Sequence, residues 1–100
     1  MRAKLDAEIL QELQKLPAWK VVNGKLRRSF DLGDFIAAFG FMTQVARQAE
    51  MINHHPEWSN IYKTVVIDLT THSQGRITPL DLELAGKIDV IFEEIVNAKL

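Results

Sequence analysis

Lys63-Thr64-Val65-Val66-Ile67-Asp68-Leu69-Thr70-Thr71-His72 is the clearest strand in the chain. Thr64, Val65, Val66, Ile67 and Thr70 are β-branched, and branched side chains pack well on a pleated surface. Alternation sends Val65, Ile67 and Leu69 to one side and Val66, Asp68, Thr70 and His72 to the other. Ser73-Gln74-Gly75-Arg76 then reads as a turn. Thr78-Pro79-Leu80-Asp81 is a strong helix start: Thr78 as cap, Pro79 at the first helical position, Asp81 reaching back. Leu84, Ile88, Ile91 and Ile95 give the helix that follows a buried stripe.

Upstream, residues 4–16 place Ile9, Leu13 and Leu16 at helical spacing, with Asp6 as a candidate cap and Pro17 as the stop. Trp19, Val21 and Val22 lead into Asn23-Gly24, the strongest short hairpin signal. The returning strand runs from Lys25 to Phe30, with Leu26, Arg28 and Phe30 opposed to Lys25, Arg27 and Ser29. Asp31-Leu32-Gly33-Asp34 opens a long helix, Asp31 as cap and Asp34 in the first turn. Phe35, Phe39, Met42, Val45 (or Ala46), Ala49 and Ile52 make its expected apolar stripe. Gly40 within it suggests a close approach of another backbone. Glu57 to Tyr62 is short enough for an edge strand. The order is helix, hairpin, helix, one or two strands, helix. That order predicts a two-layer α+β domain, an antiparallel sheet with helices packed on one face. Its exposed sheet edges would be protected by pairing into a dimer.

One hundred residues fit a single domain, 1–100. A hydrophobic fraction of 47% and a charged fraction of 25% are those of a globular protein. The net charge of −1 leaves no basic surplus for phosphates, so direct nucleic-acid binding is not expected. With no cysteine there is no disulfide, thiolate nucleophile or cysteine zinc site. No apolar run has the length of a membrane span, and the first residues lack a signal-peptide core. The expected location is the cytoplasm.

The chemistry concentrates elsewhere. All three histidines, His54, His55 and His72, fall within nineteen residues. Imidazole both gives and takes protons near neutrality. Glu50 precedes His54 by one helical turn, so it is expected to orient that ring and raise its basicity. Pro56 ends the helix and makes His55 diverge. The bland alternatives are a helix end that favours cations, a solvated Glu50 and an Asp81 that only caps a helix. A zinc triad completed by His72 is the metal alternative, but adjacent histidines rarely aim at one ion. No nucleophile elbow and no glycine-rich phosphate loop is present. Acid–base work by imidazole remains. Trp58 could wall a pocket for a flat heterocycle, whereas Tyr62 reads as a core aromatic of a strand.

The pattern Glu50-x3-His54-His55-Pro56-x5-Tyr62-x9-His72-x8-Asp81 resembles the signature of the pterin-4a-carbinolamine dehydratases, also called dimerization cofactors of a homeodomain transcription factor. Phe30, Asp34-Phe35, Ala38-Phe39-Gly40-Phe41-Met42 and Val45 to Glu50 are similar to the family's central helix. His54-His55-Pro56-Glu57-Trp58 and Thr71-His72 carry its most distinctive words. The resemblance spans residues 16–95. Departures are Ala18-Trp19 for the family's Gly-Trp and Gly75-Arg76-Ile77-Thr78 for its Gly-Gly stretch.

The resemblance implies a four-stranded β-β-α-β-β-α fold with an added N-terminal helix. It implies loss of water from 4a-hydroxytetrahydropterin, giving quinonoid dihydropterin, in recycling of the pterin cofactor of aromatic amino acid hydroxylases. It places His54, His55 and His72 on the active-site histidines, Glu50 on their acidic partner, Asp81 on the motif aspartate and Trp58 on a pocket aromatic. It implies no metal and no cofactor besides the pterin, which is the substrate. It also implies a homodimer or homotetramer, and a regulatory role with a transcription factor or hydroxylase as partner, in which case a nuclear location would follow.

Overall fold

A computed structural model gives the structure of residues 7–98; the candidate cap Asp6 lies outside the described residues. Among the described residues, helix α1 (Ala7–Leu13) ends sooner than its apolar spacing predicts. Past Leu13 the chain tightens into successive three-residue turns, Gln14 N–H to Gln11 O through Leu16 N–H to Leu13 O. Pro17 enforces this, because it disfavours helical backbone at Leu16. Ile9 and Leu16 still reach the core.

Strands β1 (Lys20–Val22) and β2 (Lys25–Asp31) form the expected hairpin. Asn23 at φ 52° and Gly24 at φ 78° supply the two left-handed residues that a tight primed turn requires. Strands β3 (Glu57–Ile61) and β4 (Thr64–Leu69) complete a four-stranded antiparallel sheet in the order β1-β2-β4-β3. The α+β, two-layer architecture is therefore the one the element order predicts. Register puts Leu26, Arg28, Phe30, Trp58, Val65, Ile67 and Leu69 on the helix-facing side, and Arg27, Ser29, Glu57, Ser59, Val66 and Asp68 on the open side.

The long strand expected over 63–72 ends at Leu69. Thr71 makes one bridge to Arg76, and His72 begins a 3-10 turn, His72–Gln74, closed by Gly75 at φ 64°. His72 is thereby freed from the sheet. Tyr62 is no core aromatic: it is 62% exposed and sits at φ 54° in the β3–β4 turn. The Asn60 amide donates to Tyr62 O and Thr64 O and holds that turn.

Helix α2 (Phe35–Met51) is capped by Asp34, whose carboxylate accepts from Ala37 N–H at 2.8 Å. Asp31 ends β2 and accepts from Gly33 N–H instead of capping. The buried row is Ala38, Phe41, Val45 and Ala49, with Met42 and Ile52 half-buried beside it. Phe35 and Phe39 are exposed on the outer face, their rings tilted at 48° with centroids 6.1 Å apart. Gly40 has open space around it rather than another backbone. Helix α3 (Pro79–Ala98) buries Leu84, Ile88 and Ile91 as its spacing predicts, adds Ala85, and leaves Ile95 half-buried against the core. Fully burying side chains such as Ile67 or Ile88 contributes about 1.5–3 kcal/mol each. The Arg28 guanidinium, on the core side, stacks over Phe30 and Phe92 and pairs with Asp89 at 2.7 Å.

Candidate active site

The site is built where α2 ends, β3 begins, β4 ends and α3 starts. Helix α2 stops in a turn that reverses the chain. Ile52 is the C-cap, Asn53 follows at φ 51°, and His54 N–H reaches back to Ala49 O while Asn53 N–H bonds Glu50 O. This pair of bonds with a left-handed residue is a Schellman motif, and asparagine tolerates that backbone. The motif swings His54 inward, off the helical row that Glu50 occupies.

The consequence corrects one expectation. Glu50 does not orient His54; its carboxylate lies 2.6 Å from Nε2 of His55. Both groups are exposed, so the pair contributes little to stability. His54 is buried and places its Nε2 2.6 Å from Asp81 Oδ1. Asp81 is fully buried. Its Oδ2 accepts from the Thr71 hydroxyl at 2.8 Å and from Thr78 N–H at 2.9 Å. Asp81 does reach back to Thr78, but the Thr78 hydroxyl turns to Thr71 at 2.6 Å, so only half of a capping box forms.

His72 is exposed, and its Nε2 lies 2.5 Å from Glu57 Oε2. The other oxygen of Glu57 takes the Lys25 ammonium at 2.7 Å. The hydrogen bond from Lys25, and then that from His72, hold the Glu57 carboxyl below its ordinary range. Alongside, Arg27 and Asp68 form a two-bond pair that raises the guanidinium further above its usual value. Trp58 is half-buried, packed against the core on the helix-facing side, while Arg27, Glu57, Ser59, Val66 and Asp68 line a hollow on the open sheet face.

The structure brings His54, Asp81 and Thr71 into one network, and Thr71 precedes His72 directly. His55 and Glu50 stand on the outer side of the same corner, and Glu57 bridges to His72. Sequence reasoning missed Glu57, Lys25, Thr71 and Thr78. Alternation in β3 was the available signal for Glu57, since it places that carboxylate on the polar side, two residues beyond His55. Among the described residues, no group of three or more His, Asp or Glu is arranged to hold a metal ion.

In this small α+β domain every histidine Nε2 meets a carboxylate, and imidazole is a group that can exchange protons near neutrality. Comparison with known proteins goes further. The sequence model of the family described as Pterin 4 alpha carbinolamine dehydratase matches residues 3–91. A relative from Solibacter usitatus, provisionally named a pterin-4-alpha-carbinolamine dehydratase, is 53% identical over 92 residues, 91% of this chain and 97% of its own. One from Prochlorococcus marinus (strain MIT 9515), named likewise, is 48% identical over 91 residues, 90% of this chain and 95% of its own. The crystal structure of a transcriptional coactivator/pterin dehydratase from Brucella melitensis matches with a TM-score of 0.83 at 41% identity, over 91% of this chain and 99% of that one. This chain belongs to the pterin-4-alpha-carbinolamine dehydratase family.

Proposed function

We propose that the protein is a hydro-lyase that removes water from 4a-hydroxytetrahydropterin and releases quinonoid dihydropterin, recycling the pterin used in aromatic amino acid hydroxylation. The observation that carries this reading is the set of three imidazole–carboxylate pairs, His54–Asp81, His55–Glu50 and His72–Glu57. Dehydration needs one proton delivered to the leaving 4a-hydroxyl and one removed from a ring nitrogen. His54 takes the ring proton, its positive charge balanced by Asp81. An exposed imidazolium, His55 or His72, protonates the hydroxyl as the carbon–oxygen bond breaks. The leaving water carries off the delivered proton while His54 gains the one from the ring nitrogen, so the step is balanced and consumes no net proton. Such acid–base help contributes about 10²–10⁴-fold. Trp58 offers a flat face for the pterin, and Asp81 acts through His54. The reaction uses no cofactor beyond the pterin itself.

The test is the decay of 4a-hydroxytetrahydropterin absorbance with purified protein and no added metal. Wild type accelerates it, and His72→Ala, folded by circular dichroism, loses most of that acceleration. No acceleration by wild type, or full activity in His72→Ala, ends this reading.

The coactivator half of the Brucella protein's description supports a second role, regulation of a transcription factor or hydroxylase through direct binding. Recovery of such a partner on a column of this protein, unchanged when all three histidines are replaced, would separate that role from catalysis. Exposed Phe35, Ile36 and Phe39 on α2 support self-association into a dimer or tetramer, which sedimentation measures directly. Among the described residues no helix is long and apolar enough to cross a membrane.

A further inference from the structure

At Oδ2, Asp81 has no room for a proton of its own. Its Oδ2 faces two donors, one of them the Thr78 backbone N–H, which can only donate. The other is Thr71, whose single hydroxyl proton points to Asp81. The Thr78 hydroxyl, 2.6 Å from Thr71, must therefore give its proton to Thr71. The donors run one way, Thr78 to Thr71 to Asp81, and they present an ionised carboxylate to His54. Aspartate is ordinarily a much stronger acid than imidazolium, so the proton between them stays on the ring. Nε2 of His54 is then the N–H, and Nδ1 carries the lone pair. Nδ1 makes no hydrogen bond, and no buried side-chain nitrogen or oxygen among the described residues lacks a partner. Nδ1 is thus open to what enters the site.

We infer that Thr71, backed by Thr78, is a positioning residue: through Asp81 it holds His54 as the Nε2–H tautomer and leaves Nδ1 as the atom that accepts the substrate proton. The hydroxyl does not touch the imidazole; it fixes the carboxylate that fixes the ring. The consequence for turnover rests on the dehydratase reading, whereas the tautomer does not.

The experiment joins kinetics to nitrogen-15 NMR of histidine-labelled protein, recorded where the rings are neutral. In wild type, Nε2 of His54 gives the signal of a protonated nitrogen and Nδ1 that of an unprotonated one. Thr71→Val keeps the side-chain shape but removes the donor. It lowers kcat about tenfold with KM within about threefold, as expected when one hydrogen bond that matters in the transition state is lost. It also draws the two His54 ring signals toward each other, as the tautomers mix. Thr71→Ser restores both readouts. Thr78→Val, which removes only the outer hydroxyl, gives a smaller loss of the same kind. Protonation at Nδ1 in wild type overturns the inference whichever variants fold, and so does an unchanged kcat and spectrum in Thr71→Val. An Nε2–H ring in a wild type without dehydratase turnover upholds the positioning and removes the dehydratase reading instead.

Discussion

Asp81 follows His54 by 27 residues, yet its carboxylate oxygen lies 2.6 Å from the ring nitrogen, and the aspartate is shut off from solvent. One buried carboxylate thus joins the end of α2 to the start of α3 and to Thr71 beyond β4. Four polar groups depend on it directly or through one hydroxyl.

Asp81→Ala leaves His54, the Thr71 hydroxyl and the Thr78 N–H without their acceptor. Each buried donor left unmet costs about 1–3 kcal/mol, so the three together are a large part of the stability of a domain this size. Urea unfolding followed by circular dichroism is expected to show a lower midpoint with an unchanged slope. An unshifted midpoint would mean that water replaces the carboxylate without loss.

Glu50→Gln is expected to lower turnover through His55 and leave stability within about 0.5 kcal/mol, since both groups are exposed. In a His55→Ala background the same substitution has no further effect on turnover. Full additivity in that double-mutant cycle would show that Glu50 acts on something other than His55.

Glu57 gives a pH dependence with a definite sign. Its carboxyl is held below the ordinary value of 4.5, so the folded protein binds fewer protons there than the unfolded chain does. The stabilisation is complete above the ordinary value and is lost as pH falls through the lower folded one. Glu57→Gln should be less stable than wild type near neutrality, and the gap should close in acid. Thermal unfolding across that range measures it, and a gap that widens in acid contradicts the assignment.

Asp89→Ala removes the shared acceptor of Trp19 Nε1–H, at 2.8 Å, and of Arg28, at 2.7 Å. Leaving part-buried donors unmet costs about 1–3 kcal/mol. Denaturant unfolding should show this loss while kcat of the folded enzyme is kept, because the hairpin's anchor on α3 shares no hydrogen bond with the histidine network.

Elements with local causes were legible in the chain. Asn23-Gly24 specifies its hairpin through two left-handed residues, and Thr78-Pro79 starts α3 where the cap chemistry requires. Alternation correctly sorted Val65, Ile67 and Leu69 into the core. The phase of α2 was less accessible, because two apolar rows share Val45 and Ala49, and spacing alone does not say which row turns inward. The histidines that make the three imidazole–carboxylate pairs stood out in the chain, since they lie close in sequence. Their partners did not. Glu50 and His54 have the spacing of helical neighbours, but a single left-handed residue, Asn53, ends the helix between them. Asp81 was recognised only as a cap or a motif aspartate, because pairing across 27 residues is decided by tertiary packing.

The position of Asp81 near the start of the last helix also bears on how the enzyme comes into being. A nascent polypeptide that has released all four strands and the first two helices, but not α3, holds His54 without its buried partner Asp81. The pairing of His54 exists only once α3 has been made and packs on the sheet. A chain cut short before α3 therefore lacks it.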